Sequence, residues 1–115
     1  MLPIERNRLL QDNSVTLTLQ IDASLFWFQG HFPTLPILPG VAQLDWVMHY
    51  GVGILAPGKQ FAAIDNIKFQ QPVPPDSLLQ LRLDWDAEKS RLSFRYCLLG
   101  EGTEQSASSG KITLC

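Results

Sequence analysis

The sequence predicts an α+β fold, an antiparallel β-sheet wrapped around one long buried helix at about residues 40–55. Three observations predict it. Residues 41–55 are apolar on nearly every side and form too long a run for an ordinary strand. The period then changes, and residues 60–69, 78–85, 92–99 and 106–114 read as strands. Turn-forming stretches at 72–76, 86–90 and 100–103 separate them. One helix followed by a run of antiparallel strands is an α+β arrangement. A chain of 115 residues, 45% hydrophobic and 17% charged, has the size and core of one domain, residues 1–115.

The elements follow in order. Residues 4–10 suit a short first strand, and Gln-Asp-Asn-Ser at 11–14 is rich in turn formers. Val-Thr-Leu-Thr-Leu-Gln-Ile at 15–21 alternates apolar and polar residues and is β-branched. A loop follows, with Phe26, Trp27 and Phe28 and then Gly30, Pro33, Pro36 and Pro39. Pro39 suits a helix start, because proline lacks only an N–H that would be orphaned there. Pro57 and Gly58 end the helix. Leu79, Leu81 and Leu83 alternate with Gln80, Arg82 and Asp84, so that strand has one wet face. No repeat, low-complexity tract or interdomain linker interrupts the chain.

Charge and composition exclude several function classes. A net charge of −2 gives no electrostatic reason to bind nucleic acid or an anionic membrane. The first ten residues are interrupted by Glu5, Arg6 and Arg8, so no secretory leader is expected there. No apolar run approaches the ~20 residues of a membrane span, and the longest contains Gln43, Asp45 and His49. Cys97 and Cys115 lack metal-ligand or redox spacing. They are expected to be free thiols without catalytic roles in a cytoplasmic protein. No metal site is expected, because His31, His49 and Asp45 offer no dependable ligand set.

Three residues between positions 28 and 46 carry chemistry. His31 sits in a loop stiffened by Pro33, Pro36 and Pro39, and an imidazole is useful near neutral pH only if positioned. Without that context it reads as a hydrogen-bonded structural residue. Asp45 lies about a turn into an otherwise apolar helix, where an ionised carboxylate should be partnered, neutral or facing a cavity. Burial there suits a proton donor; the blander alternative is a first-turn charge favoured by the helix dipole. Gly40 opens the helix. First-turn N–H groups lack internal partners and can bind an anion or a developing oxyanion, and glycine leaves them approachable.

Gly30-His31-Phe32-Pro33, then Pro36-Ile37-Leu38-Pro39-Gly40, then Asp45 resembles the active-site segment of the β-hydroxyacyl-ACP dehydratases, which are hotdog-fold enzymes. Residues 64–73 also resemble that family's long strand ending in proline and valine, so the likeness runs from about Val15 onward. The wording around Pro39 to Trp46 is most similar to the short dehydratases of aryl-polyene-type biosynthesis.

The resemblance implies dehydration of (3R)-hydroxyacyl thioesters to trans-2-enoyl thioesters, in fatty-acid or polyketide-type synthesis. His31 would be the base, oriented by the Ile37 carbonyl. The Gly40 N–H, with Val41 beside it, would hold the thioester oxygen, and Asp45 would orient or protonate the departing hydroxyl. Phe28, Phe32 and Trp46, with Phe26, Trp27 and Tyr50, are candidates for an acyl tunnel. No cofactor is implied beyond the phosphopantetheine of an acyl carrier protein. Lys59, Lys68, Arg82 and Arg95 are candidates for its basic docking rim.

A homodimer with shared sites is expected, or a higher oligomer, or a heterodimer with another hotdog subunit. One position departs from the family. Where the better-known dehydratases carry glutamine one turn after the acid, this chain has His49, which either orients Asp45 or meets solvent. Two other functions stay open, a hotdog acyl-thioesterase and a non-catalytic partner subunit of a heterodimeric dehydratase.

Overall fold

The computed structural model describes residues 2–22, 38–100 and 102–115. Six strands form one antiparallel sheet: β1 (Ile4–Gln11), β2 (Ser14–Gln20), β3 (Phe61–Phe69), β4 (Leu78–Asp86), β5 (Arg91–Gly100) and β6 (Thr103–Leu114). Their order is β1-β2-β4-β5-β6-β3. Every expected strand is present. β6 begins three residues early, at Thr103, because Gly100 pairs with Thr103 to close a tight hairpin.

The alternation in the sequence becomes one dry face. Val15, Leu17 and Leu19 of β2, Leu79, Leu81 and Leu83 of β4, and Leu92, Phe94 and Tyr96 of β5 are all buried. Register lines them up. Leu17 pairs with Leu81, Leu81 with Tyr96, and Tyr96 with Ser108 of β6, so one inner row crosses four strands. Its last two members bring hydroxyls under the helix.

The helix is α1 (Gly40–Tyr50), continued by a π-helical turn over Gly51–Leu55. Together they span the expected 40–55. The wider winding starts at Gly51, where a Cβ would collide with the Leu92 side chain, so the helix passes the sheet closely at that point. Pro39 occupies the cap position with φ −62° and ψ 151°, extended and not yet helical. Gly58, at φ 86°, turns the chain toward β3.

One expectation fails in the single chain. Ala42, Gln43, Trp46, Val47 and Tyr50 form a buried face, but the helix is not buried all round. Val41 is 65% exposed, and Asp45 and His49, each a turn further along, are also exposed. The sheet has only one face to offer the helix, so the opposite apolar side packs on none of the described residues of the sheet's inner face. Phe61 and Ile64 of β3, an edge strand, are also half exposed near it. Among the described residues no helix is long and apolar enough to cross a membrane.

Candidate active site

The N-terminus of α1 opens onto a pocket of about 340 Å³ lined by Leu38, Pro39, Gly40, Gln43 and residues 69–72. Two first-turn N–H groups are used locally, those of Ala42 and Gln43, which both donate to the Pro39 carbonyl at 3.1 and 3.2 Å. The N–H groups of Gly40 and Val41 meet no acceptor among the described residues. They are the donors that a developing oxyanion needs. Gly40 is required for a reason sequence reasoning did not supply. A Cβ there would stand 2.6 Å from Cζ of Phe69, so the phenyl ring fills the space a side chain would take.

Asp45 is exposed, contrary to the burial expected of it. It lies in a second, shallower hollow of about 260 Å³ with Val41, Leu44, Met48, Phe61, Ile64 and Ile112. Among the described residues nothing covers this carboxylate in its apolar hollow. His49 sits one turn on, exposed, with its ring edge-on to Tyr50 at 5.0 Å between centroids. Trp46 faces the other way and is fully buried in the core, so in the single chain it lines no open tunnel. Tyr50 is 5% exposed, likewise a core residue. Burial first, and then the charge of Glu5, raises its hydroxyl above the ordinary tyrosine value.

His31, Ile37, Phe28 and Phe32, with Phe26 and Trp27, lie outside the described residues. Of the expected rim, Lys59 and Lys68 are exposed. Arg82 and Arg95 face each other across β4 and β5, beside a groove of about 380 Å³ on the sheet's other face. Cys97 is buried and Cys115 exposed, neither in a disulfide.

Four residues of the helix surroundings were not singled out from sequence: Gln43, Phe69, Tyr96 and Ser108. Gln43 and Ser108 are buried at 3% and 0% exposure and bond to each other, Ser108 Oγ donating to Gln43 Oε1 at 2.7 Å. The Tyr96 hydroxyl donates to the Gln43 backbone carbonyl at 2.6 Å. Complete burial, with smaller contributions from Tyr50 and Asp45, pushes the Tyr96 hydroxyl well up, so it remains a donor. A polar residue among apolar helix positions was the available signal for Gln43.

Among the described residues, one helix held against one face of an antiparallel sheet in this strand order is the hotdog fold, the fold of the hotdog dehydratase class. Residues 6–111 match the family described as ApeI-like, ApeI dehydratase. The chain belongs to that family.

Two solved structures superpose over its whole length. One is described as the dehydratase heterocomplex ApeI:P from Xenorhabdus doucetiae, with 48% identity, TM-score 0.94 and 99% of that chain covered. The other is an uncharacterized protein from Erwinia carotovora subsp. atroseptica, with 52% identity, TM-score 0.91 and 97% covered. Among curated proteins, the 3-hydroxyacyl-[acyl-carrier-protein] dehydratase FabZ of Novosphingobium aromaticivorans is 35% identical over 109 residues, covering 79% of this chain and 68% of its own. The chain spans from 48% to 68% of the length of the curated relatives it matches.

Proposed function

We propose that this protein dehydrates (3R)-hydroxyacyl thioesters to trans-2-enoyl thioesters, taking its substrate from the phosphopantetheine arm of an acyl carrier protein. The observation that carries the proposal is the Pro39-Gly40 helix start, where Gly40 lines a pocket and its N–H meets no acceptor among the described residues, at the place the family motif assigns to the thioester oxygen. The family match and the FabZ relatives support the same chemistry.

The steps follow from what the bonds require. The α-proton is weakly acidic, so its removal needs charge stabilisation at the carbonyl. By the family resemblance, His31 is the base that takes that proton as a neutral imidazole, and the Ile37 carbonyl is the group that would orient it. The Gly40 N–H, with Val41 beside it and the helix dipole behind it, stabilises the oxygen as the Cα–H electron pair moves inward. The electron pair then forms the Cα–Cβ double bond as the Cβ–O bond breaks, and the hydroxyl leaves as water with a proton from Asp45, or from the newly protonated His31 while Asp45 orients it. His49, one turn beyond, orients Asp45. A His49→Gln variant is expected to keep turnover and move its pH profile.

The partner is a second hotdog subunit, seated on the exposed face of α1 and the edge of β3. Asp45 and its apolar hollow lie there, uncovered by the described residues. An identical copy would complete a homodimer. The likeness to a chain of a heterocomplex favours a different hotdog subunit as the alternative.

The test is turnover of a (3R)-hydroxyacyl carrier protein followed by mass spectrometry, with His31→Ala as control. Loss of water that disappears in the variant is the expected result. Release of free thiol instead would make the protein a thioesterase. An intact substrate across several acyl groups, with and without a second hotdog subunit, would end the dehydratase reading.

A further inference from the structure

Gln43 and Ser108 are the two buried polar residues among the described part of the chain, and each satisfies the other. Stability does not account for the pair. Replacing both members of a buried hydrogen bond by apolar groups of similar shape is close to neutral, whereas removing one leaves the other unpaired and destabilises the fold. A paired glutamine and serine in an apolar core therefore add little over a methionine and an alanine in free energy. What they add is a defined geometry.

That geometry converges on the two peptide units that flank Pro39, the Gln43 side chain holding the one before it and the Gln43 backbone N–H the one after it. Gln43 Nε2 donates to the Leu38 carbonyl at 3.3 Å, and Leu38 N–H donates to the Val73 carbonyl at 2.8 Å. Residue 38 is thus held at both its backbone polar groups. Gln43 N–H donates to the Pro39 carbonyl at 3.2 Å. Pro39 C=O and Gly40 N–H belong to the same planar amide, so the direction of one dictates the direction of the other. The anchor itself is rigid. Ser108 of β6 holds the Gln43 side chain, and Tyr96 of β5 holds its backbone carbonyl at 2.6 Å.

We infer that Gln43 is a positioning residue for the oxyanion donor: its side chain, locked by Ser108, sets the peptide before Pro39 and so the aim of the Gly40 N–H into the pocket. The inference rests on the dehydratase reading only for its catalytic consequence.

The experiment compares wild type, Ser108→Ala and the double variant Gln43→Met/Ser108→Ala. The double variant removes both members of the Gln43–Ser108 bond and leaves only the Leu38 carbonyl, the acceptor of a long 3.3 Å bond, without its donor, so it keeps its melting temperature within a few degrees even where Gln43→Met alone does not. Two readouts are taken. One is the Gly40 amide resonance and its hydrogen exchange in ¹⁵N-glycine-labelled protein. The other is kcat and KM on a (3R)-hydroxyacyl carrier protein.

The expected result is a displaced, faster-exchanging Gly40 amide, with kcat lower by about tenfold or more and KM within about twofold. Ser108→Ala, which leaves the Leu38 contact, falls between. An unchanged Gly40 amide overturns the inference, as does a displaced amide with wild-type kcat. If wild type turns over no hydroxyacyl thioester, the function proposal fails, and the amide readout alone decides whether Gln43 positions Gly40.

Discussion

Cζ of Phe69 stands 2.6 Å from the position a Cβ would occupy on Gly40, so the ring of one residue uses the space that the other leaves empty. The glycine serves two ends at once. It leaves the first N–H groups of α1 uncovered, and it lets an aromatic wall close over the helix start. Phe69 is 53% exposed, so this wall is movable.

Gly40→Ala should therefore cost activity more than stability. A methyl in contact with the ring is overpacked, which costs about 1–3 kcal/mol in a rigid core. Here the clashing atoms are the far end of a half-exposed ring that can swing away, and alanine regains about 1 kcal/mol of helix propensity over glycine. The two effects nearly cancel, so the melting temperature should move by only a few degrees. The displaced ring and the new methyl both intrude on the pocket, so kcat/KM should fall at least about tenfold, more than 1.4 kcal/mol of transition-state binding. Thermal melts and turnover on one preparation check both halves.

The sheet and helix were legible because their signals are local. Alternation in residues 78–85 and the largely apolar run at 41–55 each determine an element without reference to the rest of the chain. The exposed face of α1 was not legible, since hydropathy records that Val41 and Met48 are apolar but not which surface covers them. Gln43 was missed for a related reason. Its partners Ser108 and Tyr96 lie 65 and 53 residues away, and only the register that aligns Tyr96 with Ser108 brings them together. Phe69 became part of the site through folding that returns β3 to the helix start. The motif around His31 was readable as a motif, though His31 itself lies outside the described residues.

Asp84 gives a pH-dependent prediction on the sheet's outer face. Burial raises its carboxyl, but hydrogen bonds from Ser14 and Arg82, with the Arg82 charge, outweigh this and hold it below the ordinary aspartate value. A depressed folded value means that the stabilisation is present above the unfolded value near about 4 and is lost as pH falls through the folded one. The side chain is 45% exposed, so solvent screening limits the contribution to about 0.5 kcal/mol. Asp84 also offsets the unfavourable pairing of Arg82 opposite Arg95. Asp84→Asn should melt slightly below wild type at neutral pH, and the gap should narrow as the pH falls below the ordinary aspartate value. Melting temperatures across that range measure it.

Ile64→Lys tests where the partner subunit sits. Ile64 is 45% exposed on edge strand β3 and lines the hollow that holds Asp45. A lysine there is harmless to the isolated fold, as exposed substitutions usually stay within about 0.5 kcal/mol. Buried in an interface it leaves an unpaired charge, which costs several kcal/mol. Light scattering should then give a monomer mass and the assay no turnover. A variant with the wild-type mass would put the interface elsewhere.

Asp45→Asn and His31→Ala together test whether one site draws on two chains. Asp45 is exposed in the single chain, so asparagine should leave the melting temperature unchanged. Turnover should drop by about 10²–10⁴, the usual contribution of a positioned acid or base. If His31 of one subunit works with Asp45 of the other, each homodimer of a single variant has two broken sites. A mixed dimer has one site carrying both lesions and one carrying neither. Random exchange of equal amounts makes half of the dimers mixed, each with one of two sites intact, so about a quarter of wild-type turnover should return. If both residues come from the same chain, every site in every dimer keeps one lesion, and mixing returns nothing. Exchange is followed independently by native mass spectrometry on tagged subunits, so that an absence of recovery counts against shared sites and not against mixing.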